Sequence, residues 1–306
     1  MYYFIVNPSS RSGNGKSVWQ AAEQILEKEQ VEYQVFFTSY RYHATELARE
    51  ITSRPEKLTL IAVGGDGTIN EILNGIQDFS RVTFAYIPTG SSNDFARSLG
   101  LPSIPEEAVR NILHPTYLRR IDLGQAVLEN KKQYFAVSCG FGFDAAVCQE
   151  ALSSRIKDFL NHLKLGKLTY VGIALKQLIL CKTFPSTLIL DGKEQHSFSK
   201  TFFVTGMNCC YEGGGLKLCP RANPEDGMLD VFVVENLPKL LIACMLPTAY
   251  FGKHTIFPGI HLYRTDSFEL RSNTEAAFHT DGEPDVVSNR LKVSCIPSCL
   301  TIIAGK

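Results

Sequence analysis

The sequence predicts two domains of different class. A doubly wound α/β domain covers residues 1–122, and a mostly β domain covers residues 123–306 with a helical insert at 151–181. Three observations carry this reading. At 306 residues, two domains is the leading count and one large domain the alternative. Its first third alternates short apolar runs with amphipathic stretches, the pattern of a parallel sheet covered on both faces. After Ile121–Asp122 the strand-like runs follow one another, and Asp-Gly pairs recur at 191–192, 226–227 and 281–282 as hairpin signals.

In chain order, Tyr2–Val6 is an apolar run of strand length. Lys16–Glu29 carries Val18, Ala22, Ile25 and Leu26 at helical spacing. Tyr33–Phe37 reads as a second strand and Thr45–Ile51 as a second helix. Leu58–Val63 is a third strand, and Ile69, Ile72, Leu73 and Ile76 mark one face of a third helix. Thr83–Ile87 and Asn93–Leu99 complete the alternation. The second domain offers strands at Tyr134–Ser138, Thr187–Leu190, Thr201–Met207, Leu229–Val234, Ser267–Leu270 and Leu291–Cys295. The last ~10 residues are candidates to pack back on the first domain.

Thirty-one basic residues balance thirty-one acidic ones, so no overall field draws the chain to nucleic acid. Nine cysteines with no C-x-x-C and no histidine at ligand spacing argue against a disulfide framework or structural zinc. Reduced thiols of a cytoplasmic protein fit better. The N-terminus MYYFIVNPSS has no basic n-region and reads as a strand, not a signal peptide. Leu240–Leu246 is too short to span a bilayer and Pro247 follows it, so any membrane contact is expected to be peripheral.

Three loops fall where a doubly wound sheet binds ligands, at the carboxyl ends of strands. The first, Asn7-Pro8-Ser9-Ser10-Arg11-Ser12-Gly13-Asn14-Gly15-Lys16, is rich in small residues and leads into a helix, a setting that favours phosphate. It is not a Walker A loop. The second, Gly64-Gly65-Asp66-Gly67-Thr68, adds a carboxylate suited to orienting magnesium-bound water, with Asn70 and Glu71 opening the next helix. The third, Pro88-Thr89-Gly90-Ser91-Ser92-Asn93-Asp94-Phe95, again offers hydroxyls and amides. Any one of them could be a plain turn or helix cap. Three side by side weaken that plain reading for the set and point to phosphate.

On these residues the chain resembles the diacylglycerol kinase catalytic-domain family of bacterial lipid kinases and sphingosine kinases. The matching blocks are VNPSSRSGNGK (6–16), GGDGTINEILNGI (64–76), PTGSSNDFARSLG (88–100), GFGFDAAV (140–147), GGGLKLCPRANPEDGMLDV (213–231) and DGE (281–283). The resemblance implies a β-sandwich as the second domain and ATP in a cleft between the two. It places Asn7, Pro8, Ser10 and Gly13 on phosphate or ribose, and Thr38 with the His43-Ala44 element along the nucleotide. Gly64, Gly65, Asp66, Gly67, Thr68, Asn70 and Glu71 would hold phosphates and metal, with Ser91, Asn93 and Asp94 in the third loop. Ser91 stands where relatives usually carry Thr.

The resemblance further implies magnesium at Asn223, Asp226 and the Met228 carbonyl, oxygen ligands suited to a hard cation. It assigns proton acceptance to Asp281, assisted by or shared with Glu283. An ordinary carboxylate, with a pKa of about 4, is a weak base for an alcohol. The loose transition state of phosphoryl transfer lets proton removal come late, so positioning dominates. On this reading Asp281→Asn would abolish turnover with little change in stability. The acceptor would be a diacylglycerol-like lipid and the product a phosphatidic-acid-like one.

Between Arg155 and Lys182 lie six Lys/Arg (Arg155, Lys157, Lys164, Lys167, Lys176, Lys182) against one acid, Asp158, interspersed with leucine and isoleucine. The segment is either core or a patch for transient contact with the inner face of a membrane. A homodimer is left open. The rival readings are an NAD kinase, which shares the GGDGT loop, and a lipid-binding pseudokinase.

Overall fold

The computed structural model describes residues 1–128, 131–153, 166–285 and 287–304. The chain divides into two compact units. One comprises residues 1–123 with the segment from Pro297 onward; the other is Gly124–Ile296.

The first unit is α/β. Strands β1 (Tyr2–Val6), β2 (Tyr33–Phe37), β3 (Leu58–Gly64) and β4 (Val82–Pro88) pair in parallel in the order β4-β3-β1-β2. The last strand, β15 (Ser288–Ala304), adds Thr301 and Ile302 beside Thr83 and Phe84 of β4, again in parallel. Between the strands run α1 (Ser10–Lys28), α2 (His43–Thr52), α3 (Asp66–Leu73) and α4 (Asp94–Leu99), followed by α5 (Pro105–Leu113). Strand side chains alternate in direction. Phe4, Val6, Ile61, Val63, Ala85 and Ile87 meet Val18, Trp19 and Ala22 of α1 and Ala108, Val109 and Ile112 of α5 in one buried cluster. α2 and α3 pack on each other and against β1 and β3.

One first-unit expectation is corrected, and one helix is added. The first helix starts at Ser10, not Lys16, so much of the first loop is helix N-terminus. Arg11 (φ 46°) and Gly13 (φ 94°) make its opening turns irregular. Helix α5 was not read, although Pro105 at its first turn, Glu106 and Glu107 are start signals.

The second unit is the β-rich one. Its strands are β5 (Tyr117–Leu128, begun in the first unit), β6 (Lys131–Phe135), β7 (Ser138–Gly142), β8 (Phe184–Leu190), β9 (Glu194–Met207), β10 (Leu229–Glu235), β11 (Ile260–Thr265), β12 (Ser267–Ala276), β13 (Phe278–Thr280), β14 (Glu283–Pro284) and the start of β15. They run in the order β14-β13-β7-β9-β8-β12-β15, with β10 bridging β9 and β11. Leu188 and Leu190, Val231 and Val233, Phe268 and Leu270, and Leu291 and Val293 bury at period two into one cluster. Phe202, Phe232 and Val234 join a second cluster with Phe143 of α6 (Phe143–Ser153), Leu178 of α7 (Gly166–Leu180), and Ile242 and Ala249 of α8 (Lys239–Ala249).

The expected strand Tyr134–Ser138 is instead the end of β6, a corner at 136–137 and the start of β7. Asp191-Gly192 turns β8 into β9 and Asp281-Gly282 turns β13 into β14, all four residues at positive φ. Asp226-Gly227 is not a hairpin, because β10 after it pairs with β9 and β11. The helical insert expected at 151–181 is in part α6 and α7; residues 154–165 lie outside the described residues. All nine cysteines are free thiols.

Candidate active site

The parallel register gathers the loops of the first unit at one sheet end. Asn7 N–H donates to the Val63 carbonyl (2.8 Å), Thr38 N–H to that of Val6 (2.9 Å) and Thr89 N–H to that of Gly64 (2.7 Å). Side chains then tie loop to loop. Asn7 Nδ2 donates to Thr68 Oγ1 (3.2 Å), and the Ser10 and Thr89 hydroxyls pair at 2.6 Å. The second and third loops meet backbone to backbone: a Cβ on Gly90 would come within 2.8 Å of Gly65 Cα. A Cβ on Gly64 would strike the Thr68 side chain. Thr38 is half-buried beside Ser39, whose N–H donates to His43 Nδ1 (3.0 Å). Glu71 accepts from the Ala44 N–H through Oε2 (3.2 Å), tying α3 to the start of α2. Ser91 is exposed, and Asn70 is buried in α3.

Asp66 has structural work in this arrangement. Its Oδ2 accepts the Asp94 N–H (3.1 Å) and its Oδ1 the Phe95 N–H (3.2 Å), so the carboxylate of the second loop caps the helix that leaves the third. Asn93, at φ 50°, donates to the Gly90 carbonyl (3.1 Å). The buried Tyr86 hydroxyl is shared between Asn93 Oδ1 (3.0 Å) and the Gly64 carbonyl (3.1 Å). Burial, then the charges of Asp66 and Asp94, push the Tyr86 pKa well above its ordinary value, so it remains a donor. Asp94 is buried, with Arg97 Nε 3.8 Å from its Oδ1.

Small residues, paired hydroxyls and exposed Arg11 and Lys16 nearby fit a phosphate group, which needs close backbone approach and positive charge. A surface depression lined by Met1, Tyr3, Arg54 and Leu58 lies at the amino ends of β1 and β3, the wrong end for a ligand of this sheet class.

In the second unit the Asp281 carboxylate is held by backbone. Oδ1 accepts from the Val137 N–H (2.8 Å) and the Ser138 N–H (3.1 Å), and Oδ2 from the Ala136 N–H (3.0 Å). The Asp281 N–H donates to the Ser138 carbonyl (2.8 Å). This is why the chain corners at 136–137. The corner amides are buried, and a carboxylate supplies the acceptors that a sheet neighbour would have given. Oxygens so engaged are poorly placed to take a proton from an alcohol. Glu283 is half-buried on β14, paired across the turn with Thr280.

Next to this turn lies a polar cluster that the sequence reading missed. His279 is fully buried. Its Nδ1 accepts the Gly282 N–H (3.1 Å), and its Nε2 faces Asp144 Oδ2 (3.3 Å) and Glu212 Oε1 (3.5 Å). Ser138 Oγ donates to Glu212 (2.6 Å) and Thr205 Oγ1 to Asp144 (2.7 Å). Burial alone would lower the His279 pKa. The hydrogen bond and charge of Asp144, with the charges of Glu212 and Asp281, outweigh it and raise it. The proton that charges the ring must go to Nδ1, where it meets the Gly282 N–H. Charging His279 therefore exchanges the Gly282 bond for the attraction of the surrounding carboxylates, and the attraction is the larger effect.

Gly140 makes room for the cluster, since a Cβ there would lie 1.9 Å from Asp144 Oδ2. Asp144, Glu212 and His279 bring three ligand atoms within 4.8 Å of one another, a spacing that suits a cation. Asp144 and Gly140 were visible inside GFGFDAAV. His279 and Glu212, which flank the other blocks, carried no local signal.

The loop expected to hold magnesium through Asn223, Asp226 and Met228 carries an ion pair here. Asp226 Oδ2 is paired with Arg264 Nη2 (2.6 Å) and Oδ1 accepts the Met228 N–H (3.0 Å). A guanidinium already neutralises the carboxylate, Asn223 is exposed, and a metal would have to displace Arg264. Nearby Asp230 has its pKa raised to about 6, by burial first and then by Asp226, against Arg264 and Arg221.

Residues 1–126 match the diacylglycerol kinase catalytic domain, and residues 137–304 match the YegS C-terminal NAD kinase beta sandwich-like domain. A Bacillus subtilis (strain 168) protein named "Putative lipid kinase YtlR" is 33% identical over 290 residues, covering 92% of this chain and 93% of its own length. The diacylglycerol kinase of the same strain is 30% identical over 284 residues, 91% of this chain and 88% of that protein. A crystal structure of a "putative diacylglycerol kinase" from Bacillus anthracis str. Sterne has a TM-score of 0.76 at 24% identity, over 99% of this chain and 95% of that one, a likeness of fold.

Proposed function

The chain belongs to the diacylglycerol kinase catalytic-domain family, and from that premise we propose that it transfers the γ-phosphoryl group of ATP to the hydroxyl of a diacylglycerol-like lipid. One observation carries the reading. Three glycine- and hydroxyl-rich loops converge at the carboxyl ends of adjacent parallel strands, in a chain whose curated relatives are named as lipid kinases. Magnesium, bound with the nucleotide, would supply charge neutralisation for the phosphates.

The lipid oxygen bonds to the γ-phosphorus, the bond to the ADP oxygen breaks, and the hydroxyl proton passes to a carboxylate. We assign that carboxylate to Glu283 and make Asp281 the positioning residue, because both Asp281 oxygens hold backbone amides. The acceptor would be reached at a membrane surface. Among the described residues no helix is long and apolar enough to cross one.

The test is radiolabelled ATP with diacylglycerol, monoacylglycerol, phosphatidylglycerol, a sphingoid base and NAD as separate acceptors, resolved by chromatography. Label in phosphatidic acid is the expected result. Label in NAD alone would move the chain to the rival kinase, and ATP binding with no labelled product would leave a pseudokinase.

A further inference from the structure

We propose that the outer face of α8, the turn that follows it and the end of α7 form the surface on which this protein docks to an anionic bilayer. The proposal rests on the lipid-acceptor reading above and names where the bilayer sits.

Helix α8 is apolar on both sides. Ile242, Met245 and Ala249 are buried inward. On the solvent side Leu240, Cys244 and Pro247 recur at helical spacing and Phe251 follows in the turn, all exposed and none charged. A surface helix ordinarily puts Lys and Glu there.

Neighbouring elements extend the patch. Lys239 Nζ donates to the carbonyls of Ile179 (2.5 Å) and Cys181 (2.7 Å), tying the start of α8 to the end of α7, where Ile179 and Leu180 are exposed. Past the other end, His254 is buried with Nε2 against the Leu218 carbonyl (3.0 Å), and Ile256, two residues on, is held outward. Leu240, Phe251, Ile256 and Ile179 are 78%, 76%, 82% and 74% exposed. Large apolar groups so grouped mark an interaction surface.

Charge selects the occupant. No acid occurs in residues 236–262 or 159–190, whereas Lys182 and Lys253 are exposed at the flanks. A second copy meeting this face across a two-fold axis would set those lysines against each other, with no acid in either segment to answer them. Anionic headgroups neutralise them while acyl chains receive the leucine, isoleucine and phenylalanine side chains. Of the described residues of the basic segment 155–182, Ile179–Lys182 belong to this surface. Arg155, Lys157 and Lys164 lie outside the described residues.

The test compares Leu240→Glu, Phe251→Glu and Ile256→Glu with Leu118→Glu, an exposed leucine of the first unit, in sedimentation with sucrose-loaded phosphatidylcholine vesicles with and without phosphatidylglycerol. The three variants are expected to weaken binding about tenfold or more each, and Leu118→Glu to leave it unchanged. Thermal melts check that each variant is folded. Bimane on Cys244 should shift to shorter wavelength on adding vesicles, a signal absent in Cys244→Ser.

Wild-type binding by all three variants overturns the proposal. So does a lipid-free dimer that they dissociate in velocity sedimentation, which would give the face to a second copy. Turnover of a water-soluble short-chain diacylglycerol is measured in parallel. Its absence in wild type refutes the kinase reading, whatever the vesicles show.

Discussion

Asp281→Asn separates a structural carboxylate from a chemical one. In the wild type, three buried amides point at its two oxygens, at 3.0, 2.8 and 3.1 Å. Asparagine keeps one oxygen, which can retain Val137 and Ser138 as neutral bonds. Its NH₂ then faces the Ala136 N–H, donor against donor. Bonds to a charged group contribute roughly 1.5–3 kcal/mol and neutral ones about 1, and an orphaned buried donor costs about 1–3. The combined loss is about 2–4 kcal/mol, allowing for non-additivity. For a unit of this size each kcal/mol moves the midpoint by about 2–4 °C, so the melting temperature should fall by about 5–15 °C. The assay is thermal melting at pH 7.5 beside the phosphoryl-transfer rate. This replaces the sequence-based expectation of a nearly silent change in stability. The reasoning is refuted if Asp281→Asn melts within about 1 °C of wild type while turnover drops more than about 100-fold, the mark of a reacting group. Glu283→Gln should do the reverse: a smaller shift in the melt than Asp281→Asn and a loss of about 10²–10⁴-fold in turnover.

Asp226→Ala should lose the Arg264 pair yet keep the magnesium dependence of wild-type turnover; rescue by high magnesium would restore the metal loop. Asp230→Asn should raise the melting temperature at pH 7.5 and make no difference near pH 3.5. Its raised pKa means the folded state holds a proton that the unfolded state has released, so wild-type stability declines between about pH 4 and 6. A pH-independent difference would refute this. His279 is raised in the opposite chemical sense: its stabilisation is complete below the ordinary histidine pKa of about 6.5 and fades as pH climbs through the folded value. The melting deficit of His279→Gln should therefore be larger at pH 6 than at pH 8.5, and a flat deficit would mean the ring stays neutral and only holds Gly282.

Much of the first unit was legible because each strand there is a continuous apolar run followed by a glycine turn. Those signals are local, and the strands fall within a residue of where they read. The tips of three loops were equally legible, since small residues after a strand leave few other uses. What the loops do to one another was not. That Asp66 closes α4, or that Arg264 answers Asp226, depends on approach across 28 and 38 residues. Helix α8 escaped for a different reason. Periodicity needs a polar face, and Leu240, Cys244, Pro247 and Phe251 remove it. His279 and Glu212 read as ordinary strand and loop residues until the sheet brings them to Asp144.

The cap that Asp66 lends to α4 has a consequence for how such chains can change over time. One loop completes the next, and Gly65 touches Gly90, so neither loop is an independent module. An insertion in one would unseat the helix behind the other, and a graft of the second loop alone would leave an uncapped turn in its host. Drift at positions 66 and 93–95 should be concerted, with a relative that abandons the acid at the first site supplying a substitute cap at the second. Loss of activity in an Asp66 variant then carries two meanings, and the amide-exchange rates of Asp94 and Phe95 tell them apart.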